Sequence, residues 1–333
     1  MGHNDNDADR LRRMASLATP MALRVAVTLG LPDRLLRDSA EATELAAELD
    51  VDPVALDLLL GHLATLGVLE PNSPGYRTTA FGAHLCADAD NGFTDILLRL
   101  DSAAGRAELA FVELAHSINT GAAAYPRRYG QDFWADLAGF PDLRASFDRQ
   151  MSLRFHGQIP HLAGGFDWSR FTTIVDVGGG RGELLAAILH THPSMRGHLV
   201  DLAPTAATAR ATFAAHGLSD RVDVSAASFF DELPAGADAY LLCDILHDWD
   251  DGHAHRILAR CVEAARPDSR VLVVEPVGGR RAMTEMDLAM LVIFGGRERR
   301  IEEFRALADP HGLVLDDVVD LAGQRCLLEF RVG

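Results

Sequence analysis

The sequence predicts an α/β protein with two domains: a mostly helical domain at residues 1–165 and a C-terminal α/β domain at residues 166–333. In the first half, apolar residues recur every three or four positions, which is the period of a helix. From Thr172 onward, short β-rich runs alternate with helical stretches, as is typical of a doubly wound, mostly parallel sheet. A chain of 333 residues is also long enough for two domains of ordinary size.

The N-terminal third predicts a winged-helix-like domain. Residues 11–36 show apolar positions at helical spacing, interrupted by Pro20. The next segment, EATELAAELDVDPVALDLLLGHLATLGVLEPNSPGYRTTAFGAHL, predicts helix, turn, helix and a hairpin around residues 72–75. The second helix, predicted at residues 53–67, carries no Lys or Arg with which to contact DNA. We therefore expect this domain to form a dimer surface together with residues 11–36, and DNA recognition is the alternative.

Residues 93–166 are predicted to be largely helical as well. This stretch is dense in aromatic residues and methionine, most of which we expect in the core. After it come seven β-rich runs: TTIVDVG, GHLVDLA, RVDVSAA, AYLLCDIL, RVLVVEPV, LVLDDVVDL and RCLLEFRV. A short turn at residues 322–323 joins the last two runs and allows them to pair antiparallel.

Composition favours a small-molecule enzyme in the cytoplasm. The chain has 31 Lys and Arg against 48 Asp and Glu, a formal net charge of −17. Nucleic acid and anionic membranes require a basic surface, which this charge opposes. The four cysteines lack metal-ligand spacing, which predicts reduced thiols and no zinc site. The start has no signal-peptide pattern and no run of about 18 apolar residues occurs, so we expect a cytoplasmic protein.

The most informative motif is VDVGGGRG at residues 175–182, between the first of these strands and the next helix. Glycines let the chain turn sharply and approach a ligand, while the helix N-terminus offers free N–H groups. The spacing differs from the G-x-G-x-x-G of dinucleotide sites, which disfavours a nicotinamide dehydrogenase. Asp201 ends the second strand, where a ribose-binding carboxylate belongs in such folds. A solvated strand-end aspartate is the alternative.

Four motifs, in their order and spacing, resemble those of the S-adenosylmethionine-dependent small-molecule O-methyltransferases: VDVGGGRG, LVDLAP, SFFDELPAGADAYLLCDILHDWDD and FGGRERRIEEF. The segments LATPMALRVAVTLGL, FVELAHSINTGAAAYPRRYGQDFWADL and FDRQMS resemble the bacterial polyketide-tailoring branch. Within that branch the chain most resembles the naphthoic-acid O-methyltransferases of enediyne biosynthesis and, less closely, the anthracycline O-methyltransferases. The resemblance covers nearly the whole chain.

The resemblance implies a Rossmann-like methyltransferase domain after an N-terminal winged-helix-like dimerisation domain. It also implies a homodimer, S-adenosylmethionine as cofactor, S-adenosylhomocysteine as product and no metal. The reaction it implies is methylation of a phenolic hydroxyl on an aromatic polyketide or a naphthoic-acid-type natural product. In the cofactor site that it implies, Gly178 and Gly180 approach the methionine part and Asp201 holds the ribose.

The remaining cofactor contacts are where the chain departs from the family pattern. The resemblance implies that Ser228 and Phe229 flank the adenine, but this chain has Ala227-Ser228 where the family usually has Gly-Asp. A serine can still hydrogen-bond, although it supplies no charge. Many relatives carry Lys, Arg or Ser at the position of Cys243, which puts its implied contact with the cofactor in doubt.

The motif LHDWDD at residues 246–251 follows the fourth strand and predicts the general base. Methyl transfer needs in-line approach of an oxygen, and a phenol with a pKa of about 10 is mostly protonated at neutral pH. A neutral histidine can take that proton, which is the role predicted for His247. The resemblance places Glu275 and Glu298 beside it to orient the imidazole and stabilise its protonated form. Alternatively, Glu275 is a strand-end residue and Glu298 a partner for neighbouring arginines.

The acceptor pocket is expected between the helical region and the segment TEMDLAMLVIFGG. Spacing of i, i+4 and i+8 in that segment also fits core packing, which is the alternative. For a carboxylated naphthol, Arg127 and Arg128 in PRRYG are candidate cations. The residues expected to line an apolar slot for a flat ring are Trp134, Met151, Met286, Met290 and Phe294.

Two other functions are weighed against O-methylation. Some bacterial relatives bind S-adenosylmethionine yet hydroxylate or decarboxylate an anthracycline, and others methylate nitrogen or carbon. The oxygenating relatives lack the histidine of the HDW motif, so His247 favours proton removal from a hydroxyl. A cofactor-sensing DNA-binding regulator is the second alternative, which the acidic charge disfavours.

Overall fold

The computed structural model of the chain describes residues 7–89, 94, 98–280, 284–321 and 324–333. It shows two compact units, of which the first comprises Met1–Glu108 and Ala145–Gln150 and the second Leu109–Arg144 and Met151–Gly333. The boundary predicted at residues 165 and 166 marks the start of the strand–helix alternation. The compact units divide the chain earlier, because the helices that follow residue 109 pack mostly on elements of the second unit.

The first unit is helical with one β-hairpin. Its elements are α1 (Asp7–Ala15), α2 (Ala18–Thr28), α3 (Leu31–Arg37), α4 (Ala42–Leu49), α5 (Pro53–Thr65), β1 (Leu69–Pro71), β2 (Tyr76–Thr78) and α6 (Ala103–Leu109). Pro20 does not interrupt the helical stretch, because it lies in the first turn of α2, where N–H groups have no intrahelical acceptor. The stretch is interrupted instead at residues 16–17 and at Gly30, whose φ of 68° is left-handed.

Helices α4 and α5 and the hairpin β1–β2 confirm the predicted winged-helix pattern. Asp52 accepts a 2.8 Å hydrogen bond from the Ala55 amide, and Pro53 occupies the first helical position, so α5 begins here. The hairpin turns at the predicted residues, where the Asn72 amide donates to the Gly75 carbonyl over 2.8 Å. No single helix in the described ranges is long and apolar enough to cross a membrane, and one bent pair, Asp7–Thr28 with Leu31–Arg37, meets the length and composition test together.

The second unit begins with five helices, as its sequence predicts, of which α10 contributes residues 145–150 to the first unit. They are α7 (Leu114–Thr120), α8 (Tyr125–Tyr129), α9 (Phe133–Gly139), α10 (Pro141–His156) and α11 (Ile159–Gly164). Residues 93 and 95–97, at the start of the stretch predicted to be helical, lie outside the described residues. A buried hydrogen bond from the Tyr125 hydroxyl to Asp136, 2.5 Å long, joins α8 to α9.

All seven predicted strands form one sheet. They are β3 (Thr173–Val177), β4 (Arg196–Asp201), β5 (Val222–Ala226), β6 (Ala239–Cys243), β7 (Arg270–Pro276), β8 (Leu313–Asp320) and β9 (Arg325–Val332). Their order is β5-β4-β3-β6-β7-β9-β8. Strands β3 to β7 pair in parallel, and β9 pairs antiparallel with both β7 and β8. The antiparallel pairing of the last two strands is thereby confirmed, although the turn at residues 322–323 lies outside the described residues.

Helices cover both faces of the sheet. They are α12 (Glu183–Thr191), α13 (Ala203–Ala215), α14 (Asp251–Ala264), α15 (Thr284–Phe294) and α16 (Ile301–Ala308). Buried residues of α14 and α16 share a core with one face, and those of α11, α12 and α13 share a core with the other. The chain moves outward from β3 to β5 and then returns to the other side of β3 with β6. Ligands of open α/β sheets bind at the strand ends where the order reverses, so this topology directs attention to the ends of β3 and β6.

Candidate active site

The glycine motif leaves β3 at this reversal point in a backbone form that favours glycine. Gly178 and Gly180 have φ values of 74° and 59°. A Cβ atom on Gly178 would lie 2.5 Å from the Ile245 side chain and 3.3 Å from the Phe229 ring. The Gly180 amide donates a 2.9 Å hydrogen bond to Asp201 at the end of β4. The structure therefore brings four residues expected in the cofactor site to one edge of the sheet: Gly178, Gly180, Asp201 and Phe229.

Ser228 and Cys243 occupy different settings near this edge. The Ser228 hydroxyl accepts from the Phe230 amide over 3.2 Å, which fixes the turn that carries Phe229. Cys243 is the last residue of β6, and burial raises the pKa of its thiol well above the usual value. Cys243 is therefore a neutral thiol at physiological pH.

Asp176, inside the glycine motif, is a buried carboxyl that the sequence analysis did not single out. It is 2% exposed, its Oδ2 has no hydrogen-bond partner in the described residues, and a Cβ on Gly179 would lie 2.5 Å from that oxygen. Burial, and then the nearby charge of Asp201, raise its pKa to about 7. The sequence did carry a signal for this buried carboxyl, because Asp176 stands between two valines inside a strand.

His247 lies in a 3-10 helix, Leu246–Asp248, directly after β6. Its side chain is 3% exposed, its Nε2 is 3.5 Å from Asp248 Oδ1, and its Nδ1 has no hydrogen-bond partner in the described part of the chain. Burial lowers the pKa of the imidazole to about 4, although the carboxylate of Asp244 acts in the opposite direction. The imidazole is therefore neutral at physiological pH, as a proton acceptor must be.

Glu275, at the end of β7, binds the backbone that carries His247. Its Oε1 accepts hydrogen bonds from three consecutive amides: those of Ile245 at 3.1 Å and His247 at 3.2 Å, and that of Leu246. Its Oε2 has no partner in the described residues, and burial raises the pKa of the carboxyl to about 8. The hydrogen bonds of Glu275 thus hold the main chain of this turn, whereas the family resemblance implied that its carboxylate orients the imidazole ring.

Glu298 is the second carboxyl predicted beside the base. Its amide donates to Asp287 of α15 over 2.8 Å, and its side chain is buried with Oε1 unpartnered in the described residues. Burial, reinforced by the charge of Asp287, raises its pKa to about 7. Glu298 makes no ion pair in the described ranges, unlike its neighbours Arg297 and Arg299.

Arg299 fastens the loop after α15 to the segment that carries His247. Its guanidinium is 1% exposed and donates to the carbonyls of Leu246 at 2.6 Å and of Trp249 at 2.7 Å, and to Asp251 at 2.8 Å. The Gly296 backbone lies so close that a Cβ there would overlap the His247 carbonyl. Sequence reasoning missed this role, because the arginine clamp joins residues about 50 positions apart.

Aromatic rings from α9, α15 and the HDW segment form one cluster. The Trp134 ring stacks on Phe294 at a centroid distance of 5.2 Å and on Trp249 at 6.0 Å. Met290 is buried, and Met286 and Met151 are half-buried. The structure thus stacks Trp134 directly on Phe294, whereas the sequence predicted that these two residues face each other across an apolar slot, and it adds Trp249 to the cluster.

The two arginines considered for an acceptor carboxylate lie at the surface. Arg127 is paired with Glu113 at 3.4 Å and Arg128 lies over the Tyr129 ring. Arg154 lies instead on a half-buried face, which it shares with positions 151, 155 and 158. The charge of Arg154 acts to lower the pKa values of His247 and Glu298. Its guanidinium makes no hydrogen bond or ion pair with any residue in the described ranges.

Comparisons with family models and known proteins identify the family of this chain. The O-methyltransferase domain matches residues 111–314, and the O-methyltransferase dimerisation domain matches residues 11–88. The chain belongs to the O-methyltransferase family. The 2,7-dihydroxy-5-methyl-1-naphthoate 7-O-methyltransferase of Streptomyces carzinostaticus is 46% identical over 92% of both chains. The aclacinomycin 10-hydroxylase of Streptomyces purpurascens is 42% identical over 93% of this chain and 86% of its own.

Among solved structures, an O-methyltransferase of neocarzinostatin biosynthesis superimposes with a TM-score of 0.90 at 44% identity, over 97% of this chain and 98% of the other. That protein was crystallised with S-adenosylmethionine and 2-hydroxy-5-methyl naphthoic acid. The membership confirms the fold class, the enzyme class and the resemblance to tailoring O-methyltransferases predicted from the sequence.

Proposed function

We propose that this O-methyltransferase transfers the methyl group of S-adenosylmethionine to a phenolic hydroxyl of an aromatic polyketide or naphthoic-acid-type natural product, with His247 as general base. The supporting observation is a buried, neutral imidazole next to the glycine-rich edge of the sheet. Relatives that act on or bind a naphthoic acid support the acceptor class.

The residues at this edge fit the cofactor. A Cβ on Gly180 would meet no atom of the described residues within 4 Å, so a ligand can approach the backbone of this loop closely there. Gly178 and Gly180 would hold the methionine part and Asp201, fixed by the Gly180 amide, the ribose. Phe229 beside Gly178 would cover the adenine together with Ser228, and Cys243 at the end of β6 would contact another part of the cofactor.

When bound, S-adenosylmethionine supplies a sulfonium methyl whose S–C bond breaks as the O–C bond to the acceptor forms, so that the electron pair stays on sulfur. His247 would take the hydroxyl proton, and burial favours its neutral state beforehand. Glu275 would hold the turn that orients the imidazole. Glu298, whose pKa of about 7 lets it ionise near neutral pH, would stabilise the protonated imidazole. Trp134, Phe294 and the methionines Met151, Met286 and Met290 would bind the flat ring.

The decisive experiment incubates the purified protein with S-adenosylmethionine and hydroxynaphthoates, anthraquinones or catechols, and follows S-adenosylhomocysteine and methylated product by mass spectrometry. We expect product with the wild type and a loss of roughly 100-fold or more in His247→Ala, since a general base contributes about 10²–10⁴. His216→Ala, an exposed histidine on the same domain, is the matched control. Acceptor hydroxylation without S-adenosylhomocysteine would instead favour the activity named for the 42% identical relative.

We propose Arg154 as the cation for an acceptor carboxylate. A charge-assisted pair contributes about 1.5–3 kcal/mol, so Arg154→Met should raise KM for a hydroxynaphthoate roughly 10- to 100-fold. The same substitution should leave KM for the matching naphthol unchanged, and Arg127→Met should affect neither. An equal effect of Arg154→Met on both acceptors would contradict carboxylate recognition.

We propose a homodimer formed through the first unit. The dimerisation-domain match supports it, as do exposed apolar side chains on α1 and α5, among them Met14 and Leu58, each 73% exposed. Sedimentation at micromolar concentration should show a species of about twice the 36.0 kDa chain mass. Met14→Asp with Leu58→Asp should convert it to monomer, and a wild type that sediments only as 36 kDa would exclude the dimer.

We also propose a reducing, cytoplasmic location. The four cysteines are all free thiols, and three of them are buried. Fractionation of cells that produce the protein would test this.

A further inference from the structure

Asp244 occupies a strained junction between β6 and the 3-10 helix that carries His247. Its φ of 50° lies in the left-handed region, which is costly for a residue with a Cβ atom. Its amide donates to the Val274 carbonyl over 2.9 Å, so the main chain here is tied to β7. His247 follows only three residues later. The contacts that hold Asp244 in this conformation therefore also fix the position of the His247 backbone.

Arg325 of β9 holds the side chain of Asp244. Its Nε and one terminal nitrogen bind the two carboxylate oxygens at 2.8 and 2.5 Å, with side chains 2% and 8% exposed. The guanidinium also donates to Gln158 and lies 4.7 Å from the centre of the Phe155 ring. A planar, bidentate and buried pair of this kind has little freedom to reorient.

Asp244 also differs from the other carboxyls near His247 in its charge. Burial opposes its ionisation, but Arg325 outweighs that effect and brings its pKa to about 2. Burial raises the pKa of Glu275 to about 8 and that of Glu298 to about 7. Asp244 is therefore the carboxylate among these three that stays ionised throughout the neutral pH range.

We propose that Asp244 and Arg325 form the positioning pair of the base, fixing the turn before His247 and presenting a permanent negative charge that stabilises the imidazolium. The inference rests on the proposed function, in which His247 takes the proton of the hydroxyl. A buried imidazole that gains a proton needs a compensating charge, because an unpaired charge in the interior is costly. Glu275 contributes its hydrogen bonds to the backbone instead.

The other titratable and charged groups around His247 define what each variant should do. Asp248 lies on the same segment as His247, Glu275 lies on β7, and Arg299 lies in the loop after α15. Arg154 of α10 and Arg325 of β9 complete the set, and both lower the pKa of the imidazole, with Arg325 the weaker of the two. Asp244 raises this pKa and is the largest charge effect on the imidazole. Removing the whole pair should therefore lower the pKa of His247.

The test compares Asp244→Asn with the double variant Asp244→Asn/Arg325→Met. The single variant leaves Arg325 buried without a counter-charge and should unfold at lower temperature, whereas the double variant should recover most of that loss. In both variants kcat should stay about 10- to 100-fold below that of the wild type and KM should change little, because part of the general-base contribution to catalysis is lost. Glu329→Gln is the matched control, because Glu329 is also buried on β9 and paired with Arg170 and Arg270.

A second readout does not depend on turnover. The His247 imidazole, assigned by its absence in His247→Gln, should titrate at lower pH in both variants by NMR, and the acid limb of kcat/KM should move with it. Recovery of kcat together with stability in the double variant, or an unchanged His247 titration, would overturn the proposal and leave a purely structural ion pair. If no acceptor is methylated, the proposed function fails while the titration still tests the pair.

Discussion

Replacing Glu275 with glutamine should make the protein more stable at alkaline pH than the wild type. The pKa of this carboxyl is about 8 in the folded protein against a usual 4.5, because burial disfavours its ionised form. A carboxyl whose pKa is raised by folding contributes stability below pH 4.5, and that contribution is lost as the pH rises to the folded pKa. By pH 9 the loss amounts to roughly 5 kcal/mol, since each unit of pKa corresponds to about 1.4 kcal/mol.

Glutamine has nearly the same shape and keeps a carbonyl oxygen that can accept the hydrogen bonds of Ile245, Leu246 and His247. It cannot ionise, so the pH-dependent loss should disappear. For a unit of this size 1 kcal/mol shifts the unfolding temperature by about 2–4 °C, which predicts a Tm on the order of 10 °C above wild type at pH 9. At pH 5 the two proteins should unfold within a few degrees of each other.

Thermal unfolding of both proteins at pH 5, 7 and 9 tests the reasoning, with Glu285→Gln, an exposed glutamate on α15, as control. Parallel loss of stability in wild type and Glu275→Gln across this range would show that Glu275 does not titrate there. A Glu275→Gln protein that is less stable at every pH would show that the three amides require a charged acceptor.

Three further outcomes follow from other parts of the second unit. Gly178→Ala should weaken S-adenosylhomocysteine binding, measured by calorimetry, at least roughly 10-fold, because a Cβ there meets Ile245 at 2.5 Å and φ is 74°. Arg299→Met should cost about 2–5 kcal/mol in urea unfolding, since two buried carbonyls lose their donor. His311 bonds His255 at 3.0 Å, and burial lowers its pKa below 6.5, so the stability difference between wild type and His311→Gln should shrink as pH falls below that value.

Each of these outcomes can fail in a recognisable way. Unchanged affinity in Gly178→Ala would mean that the loop does not approach the cofactor closely. A stability loss below about 1 kcal/mol for Arg299→Met would mean that water or a neighbour replaces the guanidinium. A pH-independent difference for His311→Gln would mean that the His255 contact does not involve protonation.

The fold was predictable from the sequence because its signals are local. Each of the seven β-rich runs carries its own apolar pattern, and the glycine loop at residues 178–182 is defined by backbone conformation within a few residues. The helical stretch at residues 11–36 was placed correctly but its interruption was not. A helix tolerates proline only in its first turn, so the effect of Pro20 could not be predicted before the start of the helix was known.

The connections within the site were not predictable, because they join distant positions. Arg325 and Asp244 are 81 residues apart, and only the antiparallel placement of β9 beside β7 brings them together. The same holds for Glu275, whose hydrogen bonds reach about 30 residues back to the HDW segment. One signal was available for Arg325: an arginine directly precedes the apolar run Cys326–Leu328, and a buried charge of this kind requires a partner.

The contact between Gly296 and the His247 carbonyl restricts which positions near the site can be varied. A side chain at Gly296 has no room, so the junction between the loop and the HDW segment tolerates very little change. Helix α15 ends just before it, and its residues Met286, Met290 and Phe294 can be exchanged without crossing that junction. We expect new acceptors from a library that varies these three side chains and holds Asp287 and residues 295–299 constant, because Asp287 accepts a hydrogen bond from the Glu298 amide in that loop.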